Sequence, residues 1–122
     1  AKMILGGWKV TYCAEAVVFH SHNYSFFDEF KRYFDIGVFH HHQSWILQNF
    51  GPAEGEGIRF VVSELKFLWK DHKLLILSAL FRTFLKYVGY KLGLAEDHIP
   101  ELVKPYLSFN RLFWEKYDPP KS

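Results

Sequence analysis

Ser25-Phe26-Phe27-Asp28-Glu29-Phe30-Lys31-Arg32-Tyr33-Phe34 is the stretch on which the fold turns. Its rings at 26, 27, 30, 33 and 34 recur at intervals of three and four, which places them on one face of a helix. Ser25 suits the N-cap, and Asp28 and Glu29 suit a first turn where backbone N–H groups present partial positive charge. The pattern predicts a helix over most of 26–50, stopped by Gly51-Pro52. Gly37 lies inside it and costs roughly 1 kcal/mol against Ala, so either the helix breaks there or a neighbour packs closely over it.

Downstream the helical period continues. Ile58, Val61, Val62, Leu65, Leu68 and Trp69 form a stripe, with Arg59, Glu64, Lys66 and Lys70 off it, predicting a helix over 58–70. Residues 74–92 are apolar around most of the circumference, with Ser78, Arg82 and Lys86 as a narrow polar line. A helix of that kind is central or faces something other than water. Gly93 is its expected stop, a short helix is expected from Ile99-Pro100 to Tyr106, and Ser108–Tyr117 holds a last aromatic turn.

Upstream the period changes. Ala1–Leu5 followed by Gly6-Gly7 reads as the last turn of a helix with its glycine stop. Trp8–Tyr12 and Ala16–His20 are rich in β-branched and aromatic residues and predict two short strands. Two such strands alone are marginal and want a larger sheet. The expected class is therefore mainly α, with one or two short edge strands before residue 25.

A chain of 122 residues suits one domain, and 49% apolar with 23% charged residues excludes a disordered tail. Aromatics reach 20%, more large apolar surface than a monomer of this size readily hides, so self-association or a covering partner is expected. A net charge of +2 is too mild to argue for nucleic acid. Its distribution is more telling: no acid stands between Asp71 and Glu96, while Lys73, Arg82, Lys86 and Lys91 do, which suits an anionic membrane surface or an acceptor. The bland alternative is a core helix with snorkelling lysines. The N-terminus lacks the features of a signal peptide, and no apolar run reaches the twenty or so residues of a spanning helix. A single cysteine, Cys13, excludes an intrachain disulfide and suits a reducing compartment; without a nucleophile's motif it reads as a small buried hydrophobe.

His20-Ser21-His22 follows the second expected strand, and in extended backbone positions i and i+2 point the same way, so two imidazoles can approach one metal ion. His40-His41-His42 is a weaker prospect, because adjacent helical residues diverge by about 100°. There is no glycine-rich phosphate loop, no G-x-S-x-G and no Asp-x-Asp, and no complete catalytic set.

Residues 12–25 (Tyr-Cys-Ala-Glu-Ala-Val-Val-Phe-His-Ser-His-Asn-Tyr-Ser) and 29–40 (Glu-Phe-Lys-Arg-Tyr-Phe-Asp-Ile-Gly-Val-Phe-His) closely resemble the C-terminal third of family-2 rhamnosyltransferases, GT-A glycosyltransferases of bacterial surface-polysaccharide assembly. Residues 86–93 and the run from Leu107-Ser108 to Phe113-Trp114 look like the same family's tail. One departure is Cys13-Ala14, where the family often has Val-Pro. The resemblance implies an inverting transfer from a nucleotide-sugar, typically dTDP-rhamnose, to a hydroxyl of a growing, often lipid-linked glycan. That chemistry wants a carboxylate base and a divalent cation, Mg²⁺ or Mn²⁺, at the leaving diphosphate. In the family these come from a Glu-Asp motif at the start of the helix whose end matches Ala1–Leu5 and from an Asp-x-Asp motif further upstream, and neither falls among the matching residues, so no catalytic residue and no tightly bound cofactor is expected here. His20 matches the family's histidine after the last strand, with His22 its companion, as metal ligands in the intact enzyme. The implied organisation is 1–24 as the end of the catalytic core, 25–117 as a helical C-terminal region and 118–122 as a tail, in an enzyme peripheral to the inner face of the cell membrane. The contrasting expectation is a non-enzymatic helical module that binds a membrane surface or a protein.

Overall fold

The computed structural model describes residues 1–18, 23–51 and 54–116. Seven α-helices occur among them: α1 (Lys2–Leu5), α2 (Phe26–His42), α3 (Ser44–Phe50), α4 (Glu54–Asp71), α5 (Leu75–Leu94), α6 (Lys104–Leu107) and α7 (Arg111–Lys116), with a 3₁₀ turn at Glu96–His98. The mainly helical expectation holds.

The start of α2 follows from its sequence. Ser25 Oγ accepts a hydrogen bond from the Asp28 N–H at 3.2 Å, and the Asp28 carboxylate accepts from the Ser25 N–H at 3.0 Å, closing a reciprocal capping box. The Ser25 side chain and backbone hydrogen bonds, in that order, hold the Asp28 carboxyl below its usual range. The helix breaks at Gln43 rather than at Gly37. Gly37 instead belongs to a contact of backbone against backbone.

That contact joins α2 to α5, which run side by side in the same direction: Phe26 meets Phe81, Phe30 meets Gly89, and Gly37 meets Gly93. A Cβ on Gly93 would collide with the Phe34 carbonyl oxygen, one on Gly37 with that of Tyr90, and one on Gly89 would lie 2.5 Å from that of Phe30. The helices approach backbone to backbone because these three positions lack side chains. This also explains why Gly93 does not stop the helix, which runs on to Leu94. Phe30, Phe34 and Val38 of α2 and Ala79 of α5 are buried along the pair, and Trp114 of α7, with Ile99 and Leu107, packs around Phe34 and Val38.

Three expectations need correction. No strand forms among the described residues: 8–18 is without ladder partners, and Trp8, Val10, Tyr12, Val17 and Val18 are exposed. Its backbone hydrogen bonds are local, such as Val17 N–H to the Glu15 carbonyl at 2.9 Å, and a strand needs a neighbour to satisfy the rest. Cys13 is exposed, its thiol 3.2 Å from a Glu15 carboxylate oxygen, because none of the described residues packs over the segment that carries it. The second predicted helix begins earlier than expected, at Glu54, and the short one after Pro100 later, at Lys104.

Candidate functional site

The parallel α2–α5 pair creates a site at each end. At the starting end, Glu29, Arg32, Tyr33 and Ile36 share a face of α2, being spaced by three and four, and with Tyr24 and Lys86 of α5 they line a small pocket. Glu29 is the partner of α5's cations: Arg82 donates to its Oε1 at 2.8 Å, and Lys86 Nζ lies 3.8 Å from Oε2. Arg82 also reaches the Tyr24 carbonyl at 3.4 Å and covers the Phe26 ring at 4.4 Å. Arg32 lies over the Tyr24 ring at 5.5 Å and Lys86 beside the Tyr33 ring at 5.9 Å. The pocket walls thus carry two tyrosines, one carboxylate and two cations, with a third cation immediately behind.

At the finishing end the three histidines diverge to three partners, as helical geometry requires. His40 Nδ1 is 3.1 Å from the Tyr90 hydroxyl, His41 Nε2 is 2.8 Å from Asp97, and His42 Nε2 is 3.0 Å from Glu96. Glu96 is 2% exposed, and its second oxygen faces Lys104 Nζ at 2.5 Å. Lys104 also donates to Glu101 at 2.6 Å and lies 5.2 Å over the Trp114 ring. Burial would push the Lys104 ammonium below its ordinary pKa, but the hydrogen bonds to Glu101 and Glu96 and the attraction of both carboxylates outweigh it and leave it raised.

His41, Glu96 and Asp97 each bring one ligand atom within 4.8 Å of the others. They do not fit a divalent cation well. The Glu96 carboxylate is already spanned by His42 and by the Lys104 ammonium, which supplies the charge that an ion would bring and repels one beside it. The cluster is a clasp between the ends of α2 and α5 and the segment after them. Asp35 fastens the same segment, accepting from Ser108 Oγ at 2.6 Å and from the N–H groups of Phe109 and Asn110 at 3.0 and 3.3 Å.

His20 and His22 lie outside the described residues. The four cations singled out in the sequence part company: Arg82 and Lys86 turn toward α2, Lys91 occupies the opposite side of α5 in register with the exposed Leu77, Phe81 and Phe84, and Lys73 stands in the turn before the helix. Lys73 lies over Trp69 and Lys91 over Tyr87, each at 5.5 Å. No helix among the described residues is long and apolar enough to cross a membrane. Sequence reasoning missed the Glu96–Lys104 pair, Asp35 and the Glu29–Arg82 bridge. The last pair stand 53 positions apart, and no local pattern marks them as partners.

Comparison with known proteins bears out the resemblance read from residues 12–40. Over 114 residues, 93% of this chain, the sequence is 53% identical to the O-antigen chain rhamnosyltransferase RfbN of Salmonella typhimurium and 50% identical to the O-antigen chain rhamnosyltransferase WbaN of Salmonella anatum. The chain spans 36% of the length of each. No family model matches, and no solved structure matches.

Proposed function

We propose that this chain is the helical C-terminal part of an inverting rhamnosyltransferase of O-antigen assembly, and that alone it transfers no sugar. The observation that carries the reading is the 53% identity to an O-antigen chain rhamnosyltransferase across nearly the whole chain. In this reading the donor is dTDP-rhamnose and the acceptor a hydroxyl of a growing, lipid-linked glycan. A divalent cation, held by His20 and His22 with carboxylates from the rest of a GT-A core, stabilises the departing diphosphate. The general base comes from that core as well. The outer side of α5 supports attachment to the inner face of the membrane: an exposed apolar stripe with Lys73 and Lys91 near its ends and no acid between residues 71 and 96.

The test is a chimera in which the 114 matched residues replace their counterparts in the Salmonella typhimurium relative. Transfer of rhamnose by the chimera, with none by the 122-residue chain, is the expected result. A folded but inactive chimera, or turnover by the chain above a heat-killed control, overturns the reading. In the chimera at limiting Mn²⁺, His20→Ala should cut transfer strongly, His22→Ala less, and His41→Ala hardly at all, because His41 is engaged by Asp97.

A further inference from the structure

The pocket at the starting end of the α2–α5 pair has an excess of positive charge that its own residues leave unused. Its one lining carboxylate, Glu29, takes its hydrogen bond from Arg82, behind the wall. Lys86 stands 3.8 Å from the other Glu29 oxygen, beyond hydrogen-bond range, and its three N–H donors find no acceptor among the described residues. Arg32 lies over the Tyr24 ring, and among the described residues its five donors find no acceptor. Neither cation is drawn off by Asp28, which is closed into the capping box, or by Asp35, which holds Ser108, Phe109 and Asn110.

We infer that this pocket binds a phosphate ester, with Arg32 and Lys86 as the residues that contact it. A guanidinium fork and a neighbouring ammonium suit an oxyanion with several acceptor oxygens, and partial enclosure strengthens such charge-assisted bonds. The walls add a preference for a phosphate that carries an organic group, since Tyr24, Tyr33 and Ile36 bring aromatic and apolar surface to the same lining as the two cations. Glu29 acts as a positioning residue, holding Arg82 so that the pocket's net charge stays positive while Lys86 is kept at its edge. The natural carrier is a sugar diphosphate, free or lipid-linked; that assignment of the carrier, but not the pocket's affinity for phosphate, rests on the function proposed above.

The experiment uses the 122-residue chain and two probes. Inorganic pyrophosphate, followed by amide chemical shifts, should perturb residues 24–36 and the surroundings of Lys86, and Arg32→Gln and Lys86→Gln should each weaken it by about tenfold. Lys73→Gln, in the turn before α5 and outside the pocket lining, should leave it unchanged. Phosphatidylcholine vesicles with and without phosphatidylglycerol distinguish the sources: lipid binding that is lost in Arg32→Gln and Lys86→Gln places the phosphate on a lipid, and pyrophosphate binding without it places it on a soluble molecule. Either supports the inference. Absence of a pyrophosphate response together with vesicle binding that depends on Lys73 alone overturns it, as does a response that both pocket variants retain. Arg32 is exposed, so its variant keeps the test available if Lys86→Gln disturbs folding. Neither probe involves glycosyl transfer, so failure here leaves the chimera's result standing, and the reverse holds too.

Discussion

A lysine that is 3% exposed is held in place by what surrounds it, and at Lys104 the surroundings are Glu96, Glu101 and the Trp114 ring. Removing one partner of a buried ion pair leaves the other charge stranded, which costs about 3 kcal/mol or more. Glu96→Gln should therefore lower stability by about that amount in chemical denaturation, while Glu101→Gln, at an exposed carboxylate, should cost under about 1 kcal/mol. The pH dependence has a definite sign. The folded-state pKa of Lys104 lies above its ordinary value of 10.5, so its contribution is fully present below that value and is lost as pH rises through the folded one. Stability measured between about pH 9 and 12 should fall more steeply in wild type than in Lys104→Met. This clasp could not be read from the sequence. Glu96 and Lys104 are ordinary surface residue types, and only the meeting of the ends of α2 and α5 takes them out of water. Ser25 and Asp28 were legible because a capping box is contained within four consecutive residues.

Among the elements, glycine carries opposite meanings in different helices. Gly37 and Gly93 lie where a methyl group would strike a backbone carbonyl of the facing helix, and backbone cannot swing aside as a side chain does. Gly57 in α4 has nothing within 4 Å of its would-be Cβ. Gly37→Ala should destabilise by roughly 2 kcal/mol or more through overpacking, and Gly57→Ala should stabilise by about 0.5–1 kcal/mol through helix propensity, so thermal melts of the two should move in opposite directions. The sequence showed that Gly37 was either a break or a close approach, and the choice between them needed the helix that faces it. Helix content was readable from the apolar period because that period is local. The strands were not, because β-rich composition at 8–12 and 16–20, of which 19 and 20 lie outside the described residues, states a preference whose fulfilment depends on a neighbouring strand, and none forms among the described residues.

For the whole molecule the accessible surface is 10131 Å², against roughly 6,900 Å² expected for a folded monomer of 14.5 kDa. The surplus includes Leu77, Phe81 and Phe84 on α5 and Phe60, Phe67 and Trp69 on α4. Apolar area on that scale is covered when it can be, so sedimentation velocity should show concentration-dependent association, and Phe84→Glu should shift it toward the monomer. The 20% aromatic content announced this surface, although the sequence did not show which rings lie on it. The parallel course of α2 and α5 also bears on how the chain reaches its structure. The two helices pair residues 50 and 53 positions apart, at His40–Tyr90 and Glu29–Arg82, so the main interface forms only after a long loop has closed. Helical proteins fold fast when their contacts are local, and here the decisive ones are not. Stopped-flow refolding should accordingly be slower than for an antiparallel helical hairpin of equal stability. Gly37→Ala would report whether the α2–α5 crossing forms before or after the rate-limiting step, by slowing refolding in the first case and hastening unfolding in the second.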